Sequence, residues 1–163
     1  MSKNNLSYEN KDSLFFEDYE IGQKFVCPPI EFTQDNIKEF ASKHDPREFH
    51  LSEEAGEKTM FKGLISSGFH TLTDTWRSWV DMGLENEATI CGVGLDKVLW
   101  SEPVRPGDRT VTSLEVIDKQ RREKKNDGVI TFAVKANNQD GKEVISYEAK
   151  VLTSLRKEKN ETT

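Results

Sequence analysis

Asp45 and His50 stand five positions apart in the run Asp45-Pro46-Arg47-Glu48-Phe49-His50, and eighteen residues after His50 a Gly68 follows the pair Ser66-Ser67. A carboxylate and an imidazole at such spacing can share the handling of one water proton. The free N–H groups at a helix start can stabilise negative charge that builds on an oxygen. These residue types together point to adding water to, or removing it from, a carbonyl-conjugated substrate. On spacing alone a bland alternative stays open, because Asp-Pro starts many turns and His50 can simply fill a loop ahead of a capped helix.

The elements that would position these groups are written in the surrounding pattern. Lys24 to Cys27 and Ile30 to Phe32 are short extended stretches separated by Pro28-Pro29. Thr33 is an N-cap for a helix in which Ile37, Phe40 and Ala41 recur at helical spacing to about Lys43. That helix must stop before Pro46, which places Asp45 on the terminating loop. Ser52 caps another short helix that ends near Lys58. From Leu64 to Met82 the apolar residues Ile65, Phe69, Leu72, Trp76, Trp79 and Val80 predict one long amphipathic helix, with Gly83 as its C-cap. Its other face, with Ser66, Ser67, His70, Thr71 and Ser78, is small and weakly charged, so the helix is expected to be wrapped on more than one side. His70 in it reads as a satisfied core or interface histidine.

Beyond Gly92 the period changes to two. Leu95 to Trp100, Thr110 to Arg121, Val129 to Asn137 and Glu143 to Leu155 are predicted strands, with Ile130, Phe132, Val134 and Ala136 on one face. Short turns such as Asn126-Asp127-Gly128 and Gln139-Asp140-Gly141 imply antiparallel neighbours. The expected architecture is α+β, an antiparallel sheet curling around the one long helix. Long strands such as Val129 to Asn137 would invite pairing at an edge, and a second copy joining two edges would cover them, which predicts a homodimer or a dimer of dimers.

Composition bounds the rest. A chain of 163 residues makes one domain, over residues 14–155, with polar tails at 1–13 and 156–163. The net charge of −6, without a basic stripe, argues against a nucleic-acid partner. No run approaches the ~20 apolar residues of a membrane span, so a soluble cytoplasmic protein without membrane association is expected. Cys27 and Cys91 are too few for a metal cage and are read as reduced, buried thiols. His44-Asp45 superficially matches a metal-binding dyad, but the strand-rich second half does not suit an all-helical metal domain; no metal is expected.

Phe40 to Ala55, followed by Phe61-Lys62-Gly63-Leu64-Ile65-Ser66-Ser67-Gly68-Phe69-His70-Thr71, resembles the hydratase segment of the MaoC-like dehydratase family. These are hotdog-fold proteins related to (R)-specific enoyl-CoA hydratases. Phe16 to Gln23, Pro103-Val104-Arg105-Pro106-Gly107-Asp108 and Asn138 to Gly141 extend the likeness over about 14–155, in the same order. The resemblance implies a long helix wrapped by an antiparallel sheet, in a dimer with sites near the subunit interface. It also implies that Asp45 activates water, that His50 shares the proton traffic and that the Gly68 N–H holds a thioester oxygen. Ser66, Ser67, Phe69 and Trp76 are the candidate substrate contacts; Trp76 and Trp79, at helical spacing, are core by default, and one of them can line an acyl tunnel.

The implied activity is hydration of a trans-2-enoyl thioester, carried by coenzyme A or acyl carrier protein, to a 3-hydroxyacyl thioester. No cofactor is needed, because the thioester itself acidifies C2. Members of the family usually carry Asn or Gln followed by Pro where this chain has Arg47-Glu48, which removes a φ restraint and brings a guanidinium within reach of Asp45. Two other functions fit the same residues: thioester hydrolysis, and a non-catalytic module that binds acyl thioesters or regulates.

Overall fold

The computed structural model describes residues 12–158. Most of the two expected tails, 1–11 and 159–163, lies outside these residues. Ser13 and Arg156, assigned to the tails from composition, are tied to the body: the Ser13 hydroxyl accepts the Glu87 N–H at 2.9 Å and the Arg156 guanidinium pairs with Asp18.

The chain runs β1 (Lys24–Val26), β2 (Ile30–Glu31), α1 (Gln34–His44), α2 (Glu48–Leu51), α3 (Glu53–Glu57), α4 (Gly68–Val80), β3 (Thr89–Trp100), β4 (Arg109–Arg121), β5 (Asp127–Asn137) and β6 (Glu143–Ser154). The strands pair antiparallel in the order β1-β4-β5-β6-β3, with β2 also on β4. Alternation on β5 buries Ile130, Phe132, Val134 and Ala136 on the inner face, as period two requires. There α4 crosses them. Trp79 meets Phe25 of β1 at 4.9 Å and Phe132 of β5 at 5.4 Å between ring centroids, and Thr75 Oγ1 lies 3.1 Å from the Tyr147 hydroxyl of β6. Each large apolar side chain withdrawn from water this way contributes about 1.5–3 kcal/mol, so the helix is held chiefly by this face.

Four details differ from the pattern reading. The long helix starts at Gly68, not Leu64: Leu64 to Ser67 are not helical and Ser66 N–H bonds Val104 O at 2.8 Å, and apolar spacing cannot tell a buried irregular run from helix. The strand β3 begins at Thr89, six residues before Leu95, because pairing with β6 carries the glycine-broken stretch Gly92 to Gly94 into the ladder. His50 sits on a helical turn, α2, and not in the loop that the bland alternative gave it. Cys27 is buried, and burial pushes its thiol up to about 11, but Cys91 is exposed on β3.

Candidate active site

Capping fixes where α1 ends. Thr33 Oγ1 accepts the Asn36 N–H at 3.1 Å while Asn36 Oδ1 accepts the Thr33 N–H at 2.9 Å, which closes the start of the helix. At the other end Pro46 bars Asp45 from helical geometry, and Asp45 takes φ −153° and ψ 71° while its N–H still bonds Ala41 O. The chain turns at once, with Arg47 N–H on Asp45 O at 2.8 Å, and enters α2. One helical turn carries His50 back over Asp45.

The two side chains meet. His50 Nε2 lies 3.4 Å from Asp45 Oδ2, with the imidazole 5% and the carboxylate 12% exposed. His50 Nδ1 is 2.7 Å from Ile65 O. A carbonyl only accepts, so Nδ1 carries a hydrogen, and Nε2 is the nitrogen that exchanges a proton with Asp45 or with a water between them. Ser67 Oγ donates to Asp45 Oδ2 at 2.7 Å and accepts the Phe69 N–H at 3.3 Å, so one hydroxyl caps α4 and anchors the carboxylate. Arg47 Nε approaches the other carboxylate oxygen, Oδ1, at 3.3 Å from an exposed position.

Gly68 is the first residue of α4, and its N–H has no acceptor among the described residues. Space explains the glycine. A Cβ there would come within 2.6 Å of the Trp100 indole, whose Nε1–H donates to Gly68 O at 2.8 Å. Phe69, exposed, lies edge-on to Trp100 with centroids 5.8 Å apart.

Asp45, His50, Ser66, Gly68, Phe69 and Trp100 line one open cleft of about 370 Å³. Ser66 turns its hydroxyl toward His70 Nδ1, 3.0 Å away, and Ser67 is fully buried behind the cleft. Trp76 lies outside this cleft, on the wall of a hollow of about 700 Å³ between α4 and the β3–β6 ladder. Trp100 was not legible as a site residue: it ends a strand, and no local motif marks a strand-end aromatic as the neighbour of a helix start. Among the described residues no group of three or more His, Cys, Asp or Glu is arranged to hold a metal ion, and His44 packs on Phe40 at 4.8 Å.

A half-buried acid and a buried imidazole sharing a cleft with a free helix-start amide suit proton transfer beside a developing oxyanion. Residues 17–153 match the family model described as MaoC like domain. The chain belongs to the MaoC-like family. It is 33% identical over 137 residues to the uncharacterized protein YdeM of Bacillus subtilis, an alignment that covers 83% of this chain and 96% of that one. The crystal structure of a MaoC-like dehydratase from Rhodospirillum rubrum is 32% identical, with a TM-score of 0.82, and the match spans 89% of this chain and 99% of that one. The unliganded (R)-hydratase PhaJ1 of Pseudomonas aeruginosa matches with a TM-score of 0.72 over 88% of each chain, and at 23% identity that likeness is one of fold. The curled sheet around α4 is the hotdog fold of this MaoC-like protein.

Proposed function

We propose that this MaoC-like protein reversibly hydrates a trans-2-enoyl thioester, with coenzyme A as the carrier, to a 3-hydroxyacyl thioester. The observation that carries the reading is the convergence of Asp45, His50 and the Gly68 amide on one cleft, 3.4 Å separating the acid from the imidazole. Asp45 takes a proton from water as the water oxygen bonds to C3. The electron pair of the C2–C3 double bond moves toward the thioester oxygen, where the Gly68 N–H stabilises the charge. A proton returns to C2 through the Asp45–His50 pair, so neither group is consumed. Ser67 holds the carboxylate toward the cleft, and Phe69 and Trp100 shield the reacting atoms.

The test follows the ultraviolet absorbance of crotonyl-CoA. Asp45→Asn and His50→Ala are each expected to slow its loss by about 10²–10⁴-fold, the usual worth of a positioned acid or base. Equal rates in wild type and both variants would remove the assignment.

The Arg47–Asp45 contact favours one second reading, a thioester-binding module in which the guanidinium occupies the acid. Arg47 is two-thirds exposed, and an exposed pair of this kind is worth at most about 1 kcal/mol, too little to disable the site. Arg47→Gln is therefore expected to change the rate by less than about fivefold. A large gain on that substitution would favour the binding module.

The partner we propose is a second copy of the chain. Ile90, Val93, Leu95 and Leu99 stand exposed along β3, the long terminal strand of the sheet, whose last residue, Trp100, lines the cleft. Antiparallel pairing of two such edges covers both.

A further inference from the structure

Ser66, His70 and Asp74 form a chain of contacts that the proposed hydration does not use. Ser66 Oγ lies 3.0 Å from His70 Nδ1 and 3.2 Å from Ser67 O, and His70 Nε2 lies 3.0 Å from Asp74 Oδ2. The Phe40 ring stacks on the imidazole at 4.7 Å and 9°, and the Phe32 ring meets it edge-on at 5.1 Å, so the ring plane is fixed. An ionised Asp74 only accepts, so Nε2 carries a hydrogen toward it. If Nδ1–H in turn donates to Ser66 Oγ, the ring is an imidazolium whose charge Asp74 balances, the Ser66 hydrogen is free to lie on Ser67 O, and every contact is satisfied at once.

Ser67 O is half of a peptide unit whose other half is the Gly68 N–H. Three donors face this one oxygen: Ser66 Oγ, the Thr71 N–H at 3.2 Å and Thr71 Oγ1 at 3.5 Å. Donors on the carbonyl side of a peptide draw electron density from its nitrogen and make the N–H a stronger donor, as chained hydrogen bonds do in a low-dielectric interior. We propose that Ser66 and His70, with Asp74 behind them, are positioning residues that orient and polarise the Ser67–Gly68 peptide for the thioester oxygen. This rests on the hydratase reading, in which the Gly68 amide receives that oxygen.

The experiment is steady-state kinetics of the full chain on crotonyl-CoA for wild type, Ser66→Ala, His70→Leu and His70→Asn. The donor matters most when the oxygen carries its charge. Ser66→Ala and His70→Leu should thus lose about tenfold in kcat, a fraction of the loss from deleting an oxyanion donor outright, with KM held within about twofold. His70→Asn places an amide near the position of Nδ1 and should recover most of what His70→Leu loses. In the arrested Asp45→Asn background, the thioester C=O stretch of bound crotonyl-CoA should move back toward its solution frequency on adding Ser66→Ala. A full kcat in Ser66→Ala, a His70→Asn no better than His70→Leu, or an unmoved stretch would overturn the relay alone. A wild type that leaves crotonyl-CoA untouched would overturn the hydratase reading itself.

Discussion

A methyl group at Gly68 would land 2.6 Å from the Trp100 ring, and that ring is half-exposed, so it can swing away at little cost to stability. What it loses is the bond to Gly68 O and its place against Phe69 in the cleft wall. Gly68→Ala should therefore lower hydration of crotonyl-CoA by about tenfold or more while leaving the unfolding midpoint nearly unchanged. Trp100→Ala placed in that background restores room for the Cβ, so the double variant should lose less than the product of the two single losses. Away from the cleft, burial raises the Glu85 carboxyl above its ordinary 4.5. The native state holds a proton there that the unfolded chain releases. Its contribution is complete below pH 4.5 and is lost as pH climbs through the raised value. Glu85→Gln cannot ionise, so its stability relative to wild type should improve steadily as denaturation is repeated from pH 4.5 upward. Asp45, His50 and Gly68 could be picked from the sequence because their chemistry goes with a turn proline and a glycine. Trp100 and the Ser66–His70–Asp74 chain could not, since their roles arise from contacts across the cleft and along α4.

The elements that hold these residues were unevenly legible, and the reasons are physical. Helix α1 shows both of its limits, Thr33 and Pro46, and β4, β5 and β6 show period two between turn residues. Segment Leu64 to Ser67 imitates helix in its apolar spacing, but it is not helical and its Ser66 N–H is taken by the Val104 carbonyl. The turn α2 is too short to have a period at all. Arg47 has φ −75° and ψ 138°, the geometry a residue takes before proline, and the Glu48 N–H has no partner among the described residues. Glu48→Pro should therefore fit the first position of α2 and raise the melting temperature by about 1–4 °C with activity kept. Gly56 of α3 behaves in the opposite way. A Cβ there would lie 2.3 Å from the Gly63 backbone, which cannot turn aside, and Gly56→Ala should cost about 3 kcal/mol or more in chemical denaturation.

At the scale of the whole molecule, the sheet order ends on the short β1 at one side and on the twelve-residue β3 at the other, and β3 carries exposed Ile90, Val93, Leu95 and Leu99. So much apolar surface on a free strand edge needs cover. Light scattering on the purified protein should give twice 18.7 kDa, and Val93→Lys with Leu95→Lys should return it toward one copy. The curled sheet and its helix were predictable because patterning dictates them; which strand forms an edge was not, because Val129 to Asn137, expected at an edge, lies inside the sheet as β5 while β3 ends it, and strand order is not written in local alternation. All three scales meet in the claim that Asp45, His50 and the Gly68 amide add water at C3 of an enoyl thioester. The measurement that tests it most directly is incubation of crotonyl-CoA with the protein in oxygen-labelled water, followed by mass analysis of the products. One label in the C3 hydroxyl of an intact 3-hydroxybutyryl thioester, lost in Asp45→Asn, is the predicted result. Label in a released carboxylate, or unchanged crotonyl-CoA, would contradict it.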